Sequence, residues 1–213
     1  WGTAPALGVR AVTEYTFMVF LSPVGPYFKG GVRPLNLKVE TDYHRAAPRG
    51  IGNAKAIGNY SASLYPLTMA KKEGFDEVIY LDSNNDNQIE ELGSANLFIV
   101  KDGVVKTPKL SGSILDGVTR DSVCKIASEL LKLKVFETNV TINELIEADE
   151  VFCTGTAVVV TPVGKVTYNN QVHEINKNQL GPIAGKCKEL LSAIQRQEID
   201  DPFGWITPVI KGS

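Results

Sequence analysis

The chain has 213 residues, enough to bury a sizeable core as one large domain or two small ones. A hydrophobic fraction of 43% and a charged fraction of 22% fit a globular protein and exclude a disordered or collagen-like one. With a formal charge of −2, no clustered basic face and no apolar run near the roughly 20 residues that span a bilayer, neither nucleic acid nor membrane is an expected partner.

Residues 1–9 are rich in Gly, Pro and Ala, as a linker would be. The apolar, β-prone run 15–21, stopped by Pro23 and Gly25, predicts a buried strand. Alternation over 35–40 predicts a second strand, and helical spacing over 59–74 a helix closed by Gly74. Residues 77–81 form another strand, and Asn84-Asn85-Asp86-Asn87 a turn. Runs 97–100 and 104–106 flank Asp102-Gly103, a strong hairpin signal. Over 119–131 the apolar Val123, Ile126, Ala127, Leu130 and Leu131 lie on one helix face. A short helical piece at 142–147 precedes strands at 150–152 and 157–160, which Cys153-Thr154-Gly155-Thr156 separates. A hairpin turns at Asn169-Asn170, and a last helix spans 182–197. Interleaved helices and strands with several hairpins predict a mixed α/β domain with largely antiparallel sheets.

Cys124, Cys153 and Cys187 are odd in number and widely spaced. With no CxxC pair and only His44 and His173, no metal site is expected, and reduced buried thiols in an intracellular protein are.

Four segments carry candidate chemistry. In 50–60, three glycines surround Lys55. Backbone can approach a ligand there, and a desolvated lysine amine can attack an aldehyde, although a solvated lysine on a plain turn fits the same letters. Glu91 precedes a strand, either as surface decoration or as a buried carboxylate that needs a partner such as a pyridine nitrogen. Residues 114–120 lead into a helix whose free amides make an anion site, unless Thr119 simply caps it. In 153–157, amides and hydroxyls of a tight turn can hold phosphate or carboxylate.

Taken together, Glu91-x-Gly93-x-x-Asn96-Leu97-Phe98, Thr107-Pro108 and Ile114-Leu115-x-Gly117-Val118-Thr119-Arg120 resemble the signature of class IV pyridoxal-phosphate aminotransferases. Residues 22–28, Gly52-x-x-Lys55-x-x-Gly58-Asn59-Tyr60 and 152–157 are similar to the branched-chain members rather than to D-amino-acid aminotransferases or aminodeoxychorismate lyases. The resemblance implies the large, fold-type IV domain over 13–213, with an interdomain linker over 1–12. It implies pyridoxal 5′-phosphate on Lys55 as a Schiff base, Tyr60 at the phenolic oxygen, Glu91 at the ring nitrogen and Leu115 against the ring. Ser94, Gly117, Val118, Thr119 and Thr156 complete the cofactor set. Substrate contacts fall to Tyr27, Thr156 and Ala157, with Leu7 and Val9 reaching a neighbouring subunit's pocket in a homodimer. The implied reaction moves an amino group from leucine, isoleucine or valine to 2-oxoglutarate. A related class IV transaminase or lyase, or a non-catalytic domain of the same fold, is the alternative.

The CxxC redox pair of some members is replaced by Val158 and Thr161. The family's smaller N-terminal domain, which gives an arginine to the phosphate and aromatic residues over the substrate, would precede Trp1. A charge-assisted contact of that kind is worth roughly 1.5–3 kcal/mol. The 213-residue chain alone is therefore expected to bind cofactor weakly and transaminate poorly. Any targeting segment would also precede Trp1, which leaves cytoplasm, mitochondrion and plastid equally open.

Overall fold

Two hairpins set the strand pairing, and each turns on two residues with positive φ: Asp102 (49°) with Gly103 (74°), and Asn169 (48°) with Asn170 (61°). Such turns match the right-handed twist of the strands they join. The computed structural model describes residues 1–5, 7–23 and 33–208. In chain order the elements are β1 Leu35–Val39, α1 Ile57–Lys72, β2 Glu77–Asp82, β3 Asn85–Leu92, β4 Asn96–Lys101 and β5 Val104–Pro108. Then come α2 Val118–Lys125, continued by a π-helical turn Ile126–Leu130, β6 Lys134–Thr138, α3 Ile142–Ile146, β7 Glu150–Gly155, β8 Val159–Tyr168, β9 Gln171–Glu174 and α4 Pro182–Gln195.

All the strands join one sheet in the order β3-β2-β1-β8-β7-β4-β5-β6, with β9 paired to β8. β1 runs parallel to β2 and β8, and β5 to β6; the remaining pairings are antiparallel. The mixed, mainly antiparallel α/β class is thus the one expected. The sheet curls, because a bridge between Gln88 and Thr141 and an Ile89 N–H to Val140 O bond of 2.8 Å bring β3 back to the segment after β6.

Both faces of the central strands are covered, which is why β4 reads as an unbroken apolar run rather than an alternation. Leu97 and Ile99 point into the curl with Leu37, Ile79, Ile142, Leu145 and Val163. Phe98 and Phe152, partners in register on β4 and β7, stack at 5.0 Å on the other face, under Val123 of α2 and Leu191 of α4. No helix among the described residues is long and apolar enough to cross a membrane.

Four local expectations need correction. Residues 15–21 form no strand beyond a bridge from Tyr15 to Gly2, and Phe17 and Leu21 are 90% and 96% exposed. An apolar run makes a strand only with a partner along its length, and among the described residues only 1–3 pair with it, through Glu14 and Thr16, leaving 17–21 without backbone bonds to a neighbour. In 84–87, Asn85–Asn87 belong to β3, since pairing of Asp82 with Asn85 overrides their turn propensity. Residues 153–155 end β7, held by the Cys153–Thr161 and Asn96–Thr154 registers, and the turn falls at 156–158. Finally, α1 does not bury an apolar stripe: its inward side is Asn59, Ser63, Pro66 and Ala70, while Ile57, Leu64 and Tyr65 face out. Small inward residues let the helix lie close to Val78 and Tyr80 of β2.

Candidate active site

A cleft of about 260 Å³ opens where the ends of β3, β4 and β7 meet the loop before α1 and the start of α2. Lys55 stands at one side on a loop that folds on itself, with Ala54 N–H bonded to Ile51 O at 2.9 Å. Buried Asn59, in the first turn of α1, clamps this loop by donating to Ile51 O and Ala54 O, each at 2.7 Å. Gly52 has to be glycine. An added Cβ would sit 2.6 Å from Ser113 Cα, so only a bare backbone can press against the segment leading to Leu115. The desolvation expected of Lys55 is absent: it lines the cleft but is exposed, because no described element covers that side. Half-buried Tyr60 lies beside it, one turn into α1.

On the other side Glu91, only 4% exposed, ends β3. Its Oε1 pairs with Arg45 Nη2 at 2.5 Å and accepts the Leu115 N–H at 3.1 Å. Its Oε2 accepts Asn96 Nδ2 at 3.0 Å. Burial pushes the Glu91 carboxyl up to about 7. Arg45 and the Leu115 amide oppose that rise, and neighbouring Glu90 adds to it.

The start of α2 forms the floor. Gly117 is its N-cap, with φ −74° and ψ 127°, and no side chain caps the first amides. The alternative that Thr119 caps the helix is therefore overturned: Thr119 lies inside the first turn. An added Cβ on Gly117 would overlap Asn96 Oδ1, so the glycine keeps Asn96 in place, with Nδ2 also donating to Leu115 O at 2.9 Å. The third wall is Thr154, Gly155 and Thr156. Thr154 is fully buried and its hydroxyl has no partner.

The residues expected to hold cofactor, namely Lys55, Tyr60, Glu91, Ser94, Leu115, Gly117, Val118, Thr119 and Thr156, all line this one cleft. A family model described as amino-transferase class IV matches residues 2–166. The chain belongs to that family.

A relative, branched-chain-amino-acid aminotransferase 5, chloroplastic, from Arabidopsis thaliana, is 47% identical over 204 residues, covering 96% of this chain and 49% of the relative. The chain thus spans about half the length of the curated relatives it matches. The solved branched-chain amino acid aminotransferase from Escherichia coli superposes with a TM-score of 0.72 at 36% identity, over 81% of this chain and 56% of that one. The branched-chain amino acid aminotransferase from Thermobaculum terrenum, solved in its PLP-form, gives 0.70 at 27% identity, over 76% and 51%.

Against this class IV frame the remaining expected residues divide. Ala157 follows Thr156 in the exposed turn and is not part of the cleft wall. Leu7 and Val9 are fully exposed and line no part of this cleft, their expected place being another subunit's pocket. Tyr27 lies outside the described residues. Arg45 and Asn96 also line the cleft, and Thr154 brings to it one of the hydroxyls expected of the 153–157 segment. The signal for Arg45 was available in principle, since a buried Glu91 requires a cation or donors close by.

Proposed function

We propose that this chain is the cofactor-binding large domain, over residues 13–213 with a linker over 1–12, of a branched-chain aminotransferase that uses pyridoxal phosphate. The observation that carries the reading is one cleft bounded by an accessible lysine, a buried carboxylate and an uncapped helix start. Spare donors at Val118 and Thr119 suit a phosphate dianion. The partnerless Thr154 hydroxyl is a further polar group waiting for a ligand.

When bound, pyridoxal phosphate supplies an aldehyde carbon and an electron-withdrawing ring. Lys55 would carry it and afterwards hold the proton that moves at the substrate α-carbon. Tyr60 would hydrogen-bond the phenolic oxygen. Glu91, locked by Arg45, Asn96 and the Leu115 amide, would hold a proton on the ring nitrogen. Val118, Thr119, Ser94 and Thr156 would bind the phosphate, and Leu115 would bear on the ring.

The relatives' branched-chain names favour leucine, isoleucine and valine as amino donors over the D-amino-acid and lyase alternatives, and 2-oxoglutarate is the proposed acceptor. Tyr27, Thr156, Ala157, Leu7 and Val9 are the proposed substrate contacts. Exposed Ile57, Leu64 and Tyr65 on α1 support a homodimer that covers them. An intracellular setting agrees with the three free cysteines, and an organelle with the chloroplastic relative.

Borohydride reduction of the protein with pyridoxal phosphate, followed by peptide mass mapping, tests the assignment. The added mass is expected on Lys55 and should vanish in Lys55→Ala. Equal labelling of that variant elsewhere would defeat it. Amino-donor profiling then tests the substrate class, and a preference for D-amino acids would overturn it.

A further inference from the structure

Behind the cleft wall lies a second carboxylate that the proposed chemistry does not use. Glu90 is 1% exposed, and neither of its oxygens makes a hydrogen bond at normal distance, although the Ser113 hydroxyl faces it and favours its charged form. Its nearest ion-pair partner is Arg45, whose Nη2 lies 3.8 Å from Glu90 Oε2 and 2.5 Å from Glu91 Oε1. Arg45 also donates to Ser113 O and is 7% exposed. One guanidinium thus stands between two buried carboxylates, only one of which reaches the cleft.

Other charged groups also face this trio, Asp82 among them, with its carboxylate accepting the Asn84 N–H at 2.8 Å. His44 also faces Glu90, and its Nε2 lies 3.5 Å from Asp86. Arg120 faces Glu91 but bonds Glu137 at 2.7 Å and Pro108 O at 2.9 Å. At the centre is Arg45 with two carboxylates. The trio carries one net negative charge when all are ionised, and none once a protonated ring nitrogen faces Glu91.

We propose that Glu90 is the counter-charge to Arg45, a positioning residue that leaves the Glu91 carboxylate free to keep the cofactor ring nitrogen protonated. Without Glu90, the buried set of Arg45, Glu91 and a protonated ring would be net positive. Low-dielectric surroundings penalise uncompensated charge steeply, and the most easily lost proton is the one on the ring. With Glu90 present, the set is neutral and the ring keeps its proton. The inference rests on the cofactor reading of the cleft.

The test uses the intact holoprotein, prepared with pyridoxal phosphate ¹⁵N-labelled at the ring nitrogen, and follows the ¹⁵N shift against pH. Glu90→Gln should lose the ring proton at a pH lower by at least about one unit, a tenfold weakening. Arg45→Met should move the loss to higher pH, and the double variant should return close to wild type. A purely structural role for Glu90 predicts instead that the two lesions compound. A Glu90→Gln protein that titrates as wild type overturns the proposal. Should that variant not fold, an Arg45→Met protein whose titration is unmoved overturns it equally. Glu91→Gln separates the two readings. If it keeps the ring protonated as in wild type, the cofactor assignment itself fails. If it strips the proton while Glu90→Gln does not, only the counter-charge idea fails.

Discussion

Glu91→Gln is expected to flatten the dependence of stability on pH in the cofactor-free chain. Burial holds the Glu91 carboxyl at about 7, well above its ordinary value near 4.5. A carboxyl raised on folding binds its proton more tightly in the native state than in the unfolded one. Its stabilising contribution is therefore complete below about pH 4.5 and disappears as pH climbs through about 7. A shift of about 2.5 units corresponds to roughly 3 kcal/mol at full extent, of which roughly 2–3 kcal/mol falls between about pH 5 and pH 8. Urea unfolding at those two pH values reads it directly. Wild type should be the less stable at the higher pH by that amount, and the glutamine variant should lose most of the difference. Glu77 and Glu90, also raised by burial, leave a smaller slope of the same sign in both proteins. The variant is also weaker throughout, because Arg45, Asn96 and the Leu115 amide all donate and an amide offers them a single acceptor oxygen. The slope, not the offset, is diagnostic. An unchanged slope in Glu91→Gln would show that solvent or Arg45 keeps this carboxylate ionised, and the electrostatic picture of the cleft would fall with it.

Two other outcomes follow from packing. Glu150 of β7 accepts the Ile183 and Ala184 amides at 3.1 and 3.0 Å, docking the start of α4 on a buried carboxylate that an added Cβ on Gly181 would overlap. Gly181→Ala should cost about 1–3 kcal/mol in urea unfolding, and Glu150→Ala at least as much; a wild-type midpoint for both would refute the dock. Burial raises Cys153 and Cys187 to about 12 and Cys124 to about 11. Near pH 8 a thiol reagent should therefore label Cys153 and Cys187 no faster than the chain unfolds, whereas rapid labelling in the folded protein would contradict their burial.

What the sequence made legible was local. Asp102-Gly103 and Asn169-Asn170 specify their turns by themselves, because few residues tolerate positive φ at two successive positions. The residues that line the cleft were legible for a related reason. Gly117, Val118 and Thr119 form one helix start, and Lys55 and Tyr60 flank another, so short motifs hold the geometry. Where pairing across the chain decided the outcome, local letters misled: Asn85–Asn87 read as a turn until β2 recruits them.

Glu91 shows why the rest was out of reach. Its position was readable from a motif, but its chemistry depends on Arg45, which follows β1, and on Asn96 and Leu115, which lie across the next turn and beyond β5. These meet because β1 lies beside β2, β2 beside β3, and the Leu92 N–H to Ala95 O bond of 2.9 Å holds the end of β3 against the start of β4. Glu90 is further removed still. In an ideal strand it would point away from the face that Glu91 serves, and period-two reasoning would set it aside. Arg45 reaches both carboxylates, at 2.5 and 3.8 Å, so alternation fails as a guide to which charges act together. The unit that sets the electrostatics of this cleft is therefore a three-residue ion cluster, and a cluster assembled by sheet order can be read only once the strands are paired.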